Sequence, residues 1–121
     1  MTFPELLEWQ WSDYSQKHES RANLLIHIVA VPVFIVGALN FTYAALGLVL
    51  FKLELARALF ATILMAGSLF AQSRGHGLEL QRPEPFSSGK DALRRLLAEQ
   101  FITFPRFVIS GGWTDNLARA R

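Results

Sequence analysis

The chain has 121 residues, which fits one domain. Apolar residues make up 51%, mean hydropathy is +0.25, and charged residues are 18%, below the roughly 25% of ordinary soluble domains. The absence of cysteine excludes disulfides, thiolate metal sites and a cysteine nucleophile.

The net charge of +2 is unevenly spread. Residues 1–23 carry two basic and four acidic side chains, and residues 74–121 carry eight and five. An arginine-rich tail of this kind suits anionic lipid headgroups. So apolar a chain argues against a nucleic-acid partner, despite a pI near 9.4.

Residues 2–18 read as an amphipathic helix, with Thr2 and Glu5 spaced as a capping box. Its Leu6, Leu7, Trp9, Trp11 and Tyr14 suit either a packing face or the headgroup layer. No basic segment precedes an apolar core at the start, so the run beginning at Leu24 reads as a retained anchor.

Leu24 to Phe51 contains no charged residue. As one straight helix it would reach roughly 42 Å, longer than the roughly 30 Å hydrocarbon core. Pro32 offers a kink, and Gly37 with Asn40 offers a break, so one long helix and a tight hairpin both fit. Lys52, Glu54 and Arg57 punctuate the chain before a second apolar segment at 55–73.

Residues 74–90 read as a polar connector with Pro83 and Pro85 extended. Ser88 and Asp91 can cap a last helix, along which Leu93, Leu96, Leu97, Phe101, Phe104 and Val108 follow helical spacing. Arg94-Arg95 reads as a solvated or headgroup-facing pair. Pro105 kinks or ends the helix, Gly111-Gly112 closes it, and Asn116 to Arg121 trail off frayed.

The expected fold is all-α: a small helical integral membrane bundle, 1–121, with two to four membrane-embedded helices and interfacial helices at both ends. If the spans number two, the basic residues of both terminal regions place both termini in the cytosol.

Chemistry rests on three histidines, His18, His27 and His76. His27 lies inside the charge-free run, where polar groups are costly and often functional. Gln72, His76 and Glu79 fall within roughly 60° on a helix face, provided the helix continues past Arg74. Gly75 and Gly77 flank His76 and would let a neighbour approach closely. Asn23 and His27 are an i, i+4 pair. His18 and His27 are about half a turn out of phase on one helix, so they converge only if the chain breaks near Ser20, a plausible N-cap. Imidazole and carboxylate without sulfur suit non-haem iron, zinc or manganese, with Glu79, Glu19 and the amides Asn23 and Gln72 as ligands or supporting groups. No GxSxG or GxxxxGK[ST] motif is present.

The ordered pair Tyr14-x3-His18-x4-Asn23-x3-His27 and Gln72-x2-Gly75-His76-Gly77-x-Glu79, with Pro83 and Pro85 following, resembles the fungal endoplasmic-reticulum 2-hydroxy fatty acid dioxygenases and their bacterial relatives. The resemblance covers roughly Tyr14 to Trp113. It implies an Fe(II)-dependent membrane enzyme, in the inner membrane if bacterial and the endoplasmic reticulum if eukaryotic. Such an enzyme uses O2 to shorten a 2-hydroxy fatty acid by one carbon. Carried over, His18, His27 and His76 are iron ligands, Glu79 is a fourth ligand or its support, and Asn23 and Gln72 support the ligands. The fungal pattern has a second histidine where this chain has Lys17, so Glu79 or Glu19 would complete the set. Arg74 or Arg82, near His76, would pair the substrate carboxylate. The alternatives are a non-catalytic membrane protein of the same fold and a zinc-dependent lipid hydrolase.

Overall fold

A computed structural model describes residues 1–120, and these are all-helical. Helix α1 spans Phe3–Ser12 and opens with the expected capping box between Thr2 and Glu5. A single 3₁₀ turn, Ser15–Lys17, follows. Ser20 then caps α2, Arg21–Val49, by accepting from the Asn23 N–H. The chain breaks where the two histidines need it to, between His18 and α2.

Helix α2 runs unbroken through 29 residues, Pro32, Gly37 and Asn40 included. Neither a hairpin nor a break forms at Gly37. Its lack of a side chain serves packing instead, since a Cβ there would lie 2.9 Å from Met65 Cγ and 3.0 Å from the Ala61 carbonyl oxygen. At Asn40 the side-chain amide donates back to the Val36 carbonyl, and Arg57 donates to its oxygen. A tight turn leads into α3, Leu55–His76, which lies against α2 along its length.

These two helices are long and apolar enough to cross a membrane. Only 33% of the most apolar stretch of α2, and 17% of that of α3, is buried. A soluble protein's core helix would be mostly covered, whereas Val29, Leu39, Leu59, Ile63 and Phe70 all face outward. The pair forms an arm clad in apolar side chains.

The remaining elements gather around one end of the arm. Ser88 caps α4, Gly89–Ala98, as its sequence suggests. The helix then widens into a π segment, Glu99–Thr103, where the Phe104 N–H reaches back to the Glu99 carbonyl. Pro105 follows directly, in the first turn of α5, Phe104–Ile109; the wider turn accommodates a residue with no N–H to donate. Gly111, at φ 87°, reverses the chain into α6, Gly112–Arg119. Residues 116–119 are therefore helical and docked, not frayed. Asn116 is buried and donates to the His18 and Ser15 carbonyls, and the Trp113 indole donates to the Leu24 carbonyl. The core at this end is Tyr14, Leu24, Val31, Phe104 and Phe107, with Trp11 and Trp113 against it.

The apolar spacing expected from α4 to α5 is only partly buried: Leu96 is half-buried and Phe104 and Val108 pack in the core. Leu93, Leu97 and Phe101 point outward, while Arg95, Gln100 and Thr103 are buried. Arg95 is therefore not the solvated residue its neighbourhood suggested. The wider turn of the π segment shifts the helical phase between α4 and α5.

Candidate metal centre

Three segments bring the histidines together. His18 follows the 3₁₀ turn, His27 lies in the second turn of α2, and His76 ends α3. The three rings are 4.8–4.9 Å apart, centroid to centroid, and mutually near-perpendicular at 79–89°. The fourth member is Glu99, whose Oε1 lies 3.7 Å from His18 Nε2, 3.6 Å from His27 Nε2 and 3.9 Å from His76 Nε2. One potential ligand atom from each of the four lies within 4.8 Å of the others, a grouping able to hold a metal ion.

Backbone contacts assign the protons of two rings. His18 Nδ1 sits 2.8 Å from the Tyr14 carbonyl and His27 Nδ1 sits 3.1 Å from the Asn23 carbonyl. A carbonyl can only accept, so each Nδ1 carries hydrogen and each Nε2 lone pair points inward. Those Nε2 atoms, and His76 Nδ1, are buried without a hydrogen-bond partner. Buried polar groups are seldom left so. Electron-pair donors facing a carboxylate repel one another unless a cation lies among them. The donor set thus fits a metal ion taken by neutral imidazoles and a carboxylate, with the His18 and His27 rings oriented by their second nitrogens.

The surroundings set the protonation this needs. Burial pushes the His18 imidazole down from its ordinary value, against the pull of Glu99. Burial works to raise the Glu99 carboxyl, but the close approach of the His18, His27 and His76 imidazoles outweighs it and holds the group well below the usual carboxylate range. The Tyr14 phenol is pushed well up, first by burial and then by the Glu99 charge, so it stays a donor. It donates to Glu99 Oε1 at 3.0 Å, while its ring stacks on His18 at 3.9 Å.

Glu79 is placed elsewhere. Helix α3 ends at His76 and the chain turns at Gly77, so the helical face expected through Glu79 stops short. The Glu79 carboxylate instead accepts from the Glu19 and Ser20 N–H groups and, at 2.6 Å, from the Asn23 amide. It clasps the junction between His18 and α2 and contributes no atom to the four-residue centre. Glu19 is exposed, and its backbone rather than its carboxylate is engaged. Asn23 does support the centre, through the carbonyl that orients His27. Its side chain passes so close to α3 that a Cβ on Gly75 would lie 2.2 Å from Asn23 Oδ1. Gln72 exchanges two hydrogen bonds with Gln100, at 2.9 and 2.8 Å, and donates to Ser68. That pairing pins the π segment, and Glu99 with it, to α3.

Two cavities reach the centre. One, about 50 Å³, is bounded by Tyr14, His18, His76, Arg95 and Glu99 among others. The second, about 320 Å³, opens between α3, α4 and the connector, along Leu69, Gln72, His76, Pro83, Phe86, Arg95, Leu96 and Glu99. Arg74 and Arg82 are exposed and line neither. The spacing of apolar residues concealed Glu99 and Arg95. A signal was available, since Arg95 and Glu99 are four apart in a segment ending at a proline.

Comparisons with protein-family models, curated proteins and solved structures find no match to this chain.

Proposed function

We propose that this chain is an integral membrane oxygenase that holds Fe(II) on His18, His27, His76 and Glu99 and shortens 2-hydroxy fatty acids by one carbon. The observation that carries the reading is the convergence on the Glu99 carboxylate of three imidazoles, each with a buried nitrogen that has no hydrogen-bond partner, at the mouth of a largely apolar cavity. Iron bound there supplies redox chemistry toward O2, which loss of a carboxyl carbon requires and no side chain of this chain provides.

The protein's own contribution is binding, orientation and exclusion of water. Tyr14 and Asn23 carbonyls fix the His18 and His27 rings, and the Tyr14 hydroxyl fixes Glu99. The cavity walls Leu69, Phe86 and Leu96 suit an acyl chain, whose burial is worth about 0.8 kcal/mol per CH₂. With two spans and the terminal elements at one end, the positive-inside rule sets the centre at the cytosolic face of the membrane.

Metal analysis of detergent-purified protein tests this, with His76→Ala as control. Near-stoichiometric iron, lost in the variant while insertion persists, and O2-dependent consumption of a 2-hydroxy acid are expected. Zinc with oxygen-independent lipid hydrolysis would replace the reading, because the same donors suit zinc. Full metal occupancy in His76→Ala would remove the site.

A further inference from the structure

We propose that Arg95 is the residue that recognises the head of the bound amphiphile, and that this head is a carboxylate. Arg95 lines both cavities that reach His76 and Glu99, and it is buried. Its guanidinium lies over the rings of Trp9, at 4.8 Å, and Phe86, at 4.6 Å. Its Nη1 donates to the Pro85 carbonyl and to Asp91, and its Nη2 to the Glu84 carbonyl. These contacts use three of the five N–H donors of a guanidinium and leave Nε–H and one N–H of Nη2 without a partner. Two guanidinium N–H groups suit the two oxygens of a carboxylate.

The charge balance points the same way. Asp91, the acidic partner of Arg95, lies at 3.3 Å and is partly solvent-exposed, so it offsets the cation weakly. A desolvated cation that cannot lose its proton, set beside the apolar walls Leu69, Phe86 and Leu96 of a cavity whose one acidic lining residue, Glu99, is engaged by Tyr14 and faces the three histidines, favours an anionic head on an apolar tail. The chain of that ligand lies along Leu69, Phe86 and Leu96, and its head stands between Arg95 and the four-residue centre. Arg95 is thus a binding and positioning residue. This inference deepens the proposed oxygenase reading and rests on it for the identity of the acid.

The test uses full-length protein in phosphatidylcholine nanodiscs, loaded with cis-parinaric acid as a fluorescent probe. Palmitate, palmityl alcohol and palmitoyl lysophosphatidate compete for it. Wild-type protein should prefer palmitate over the alcohol by about tenfold, the size expected of a charge-assisted pair. Arg95→Gln should abolish that preference with metal content unchanged, and exposed Arg82→Gln should keep it. Should Arg95→Gln fail to take metal, Arg95→Lys decides: a folded lysine variant with weakened preference supports the assignment, and one with unchanged preference overturns it. No acid preference in the wild type, or its persistence in Arg95→Gln, also overturns it. Stronger competition by the lysophosphatidate would assign the site to phosphate headgroups instead. Displacement requires no turnover. A protein that prefers the acid through Arg95 but consumes no oxygen would refute the oxygenase alone. An active oxygenase indifferent to Arg95 would refute this inference alone.

Discussion

The two ends of the α2–α3 arm are built in opposite senses. At the histidine end, polar groups lie inside: His18, His27, Asn23, Gln72 and Gln100 are all buried, and elements from both termini wrap them. At the far end, from Asn40 through the turn to Ala58, the helices have each other and little else, and Leu46, Leu48, Val49 and Leu53 face outward. Water would tolerate the first arrangement and penalise the second, whereas an apolar medium relieves the second and penalises the first unless that end finds internal partners for its polar groups. It does, through the Glu79 clasp, the Gln72–Gln100 exchange and the capped junction at Ser20. The contrast teaches where this fold keeps its specificity. The arm has the length and apolar surface that suit an apolar medium, and the wrapped end supplies a unique geometry.

The largest expected break of this comparison is at the centre itself. His27→Ala should abolish metal binding, and Glu99→Gln should lower metal affinity by roughly 10–100-fold or more, with both proteins still inserted. Glu79→Gln should retain the metal stoichiometry and lower the melting temperature, because its carboxylate holds the α2 entry rather than the centre. Metal titration followed by thermal unfolding of the same samples separates them. If Glu79→Gln loses metal as severely as Glu99→Gln, the division between clasp and centre is wrong.

A second, smaller break uses two glycines of α3. A Cβ on Gly75 would strike Asn23, and one on Gly67 would meet nothing within 4 Å. Gly75→Ala should cost about 1–3 kcal/mol, the range for overpacking, and disturb the His27 ring through Asn23. Gly67→Ala should be neutral or raise stability by up to about 1 kcal/mol through helix propensity. Chemical denaturation in detergent checks both, and equal destabilisation by the two would contradict the close crossing at Asn23.

Much of this was legible beforehand, for local reasons. The Thr2–Glu5 box and the Ser20 and Ser88 caps are short-range chemistry, and all three form. If His18 and His27 are to share a site, helical phase demands a break between them, and the structure has it at Ser20. What stayed hidden depends on contacts distant in sequence. Glu99 lies in a stretch whose apolar residues dominate its periodicity, and the π segment turns that stretch so that its polar side faces the histidines. Placing Glu79 on the histidine face requires a helix beyond Gly77, and α3 ends at His76. Asn116 sits in a polar tail with no apolar spacing, and its role is to satisfy the His18 carbonyl 98 residues away. The fate of Gly37 depended likewise on the helix opposite, which the α2 segment alone does not specify.

The smallest prediction concerns the far turn and asks whether that end is as bare as it looks. Helix α2 ends in a Schellman motif: the Lys52 N–H donates to the Gly47 carbonyl and the Phe51 N–H to the Leu48 carbonyl. The residue that must adopt the left-handed conformation in this motif is Phe51, at φ 58°, and its side chain is fully exposed. A β-carbon in that conformation costs roughly 1–2 kcal/mol, part of which glycine returns through its greater unfolded-state entropy. Phe51→Gly should therefore stabilise the detergent-solubilised protein by up to about 1 kcal/mol, a rise of a few degrees in Tm, without changing metal content. A fall in both detergent and bilayers would mean that the ring is covered by something, such as a second copy of the chain. A rise in detergent with a fall in bilayers would mean that lipid itself holds the ring. The strained conformation would then be offset by burial of the phenyl group in the membrane, and the far end would be specified by its solvent where the histidine end is specified by its own side chains.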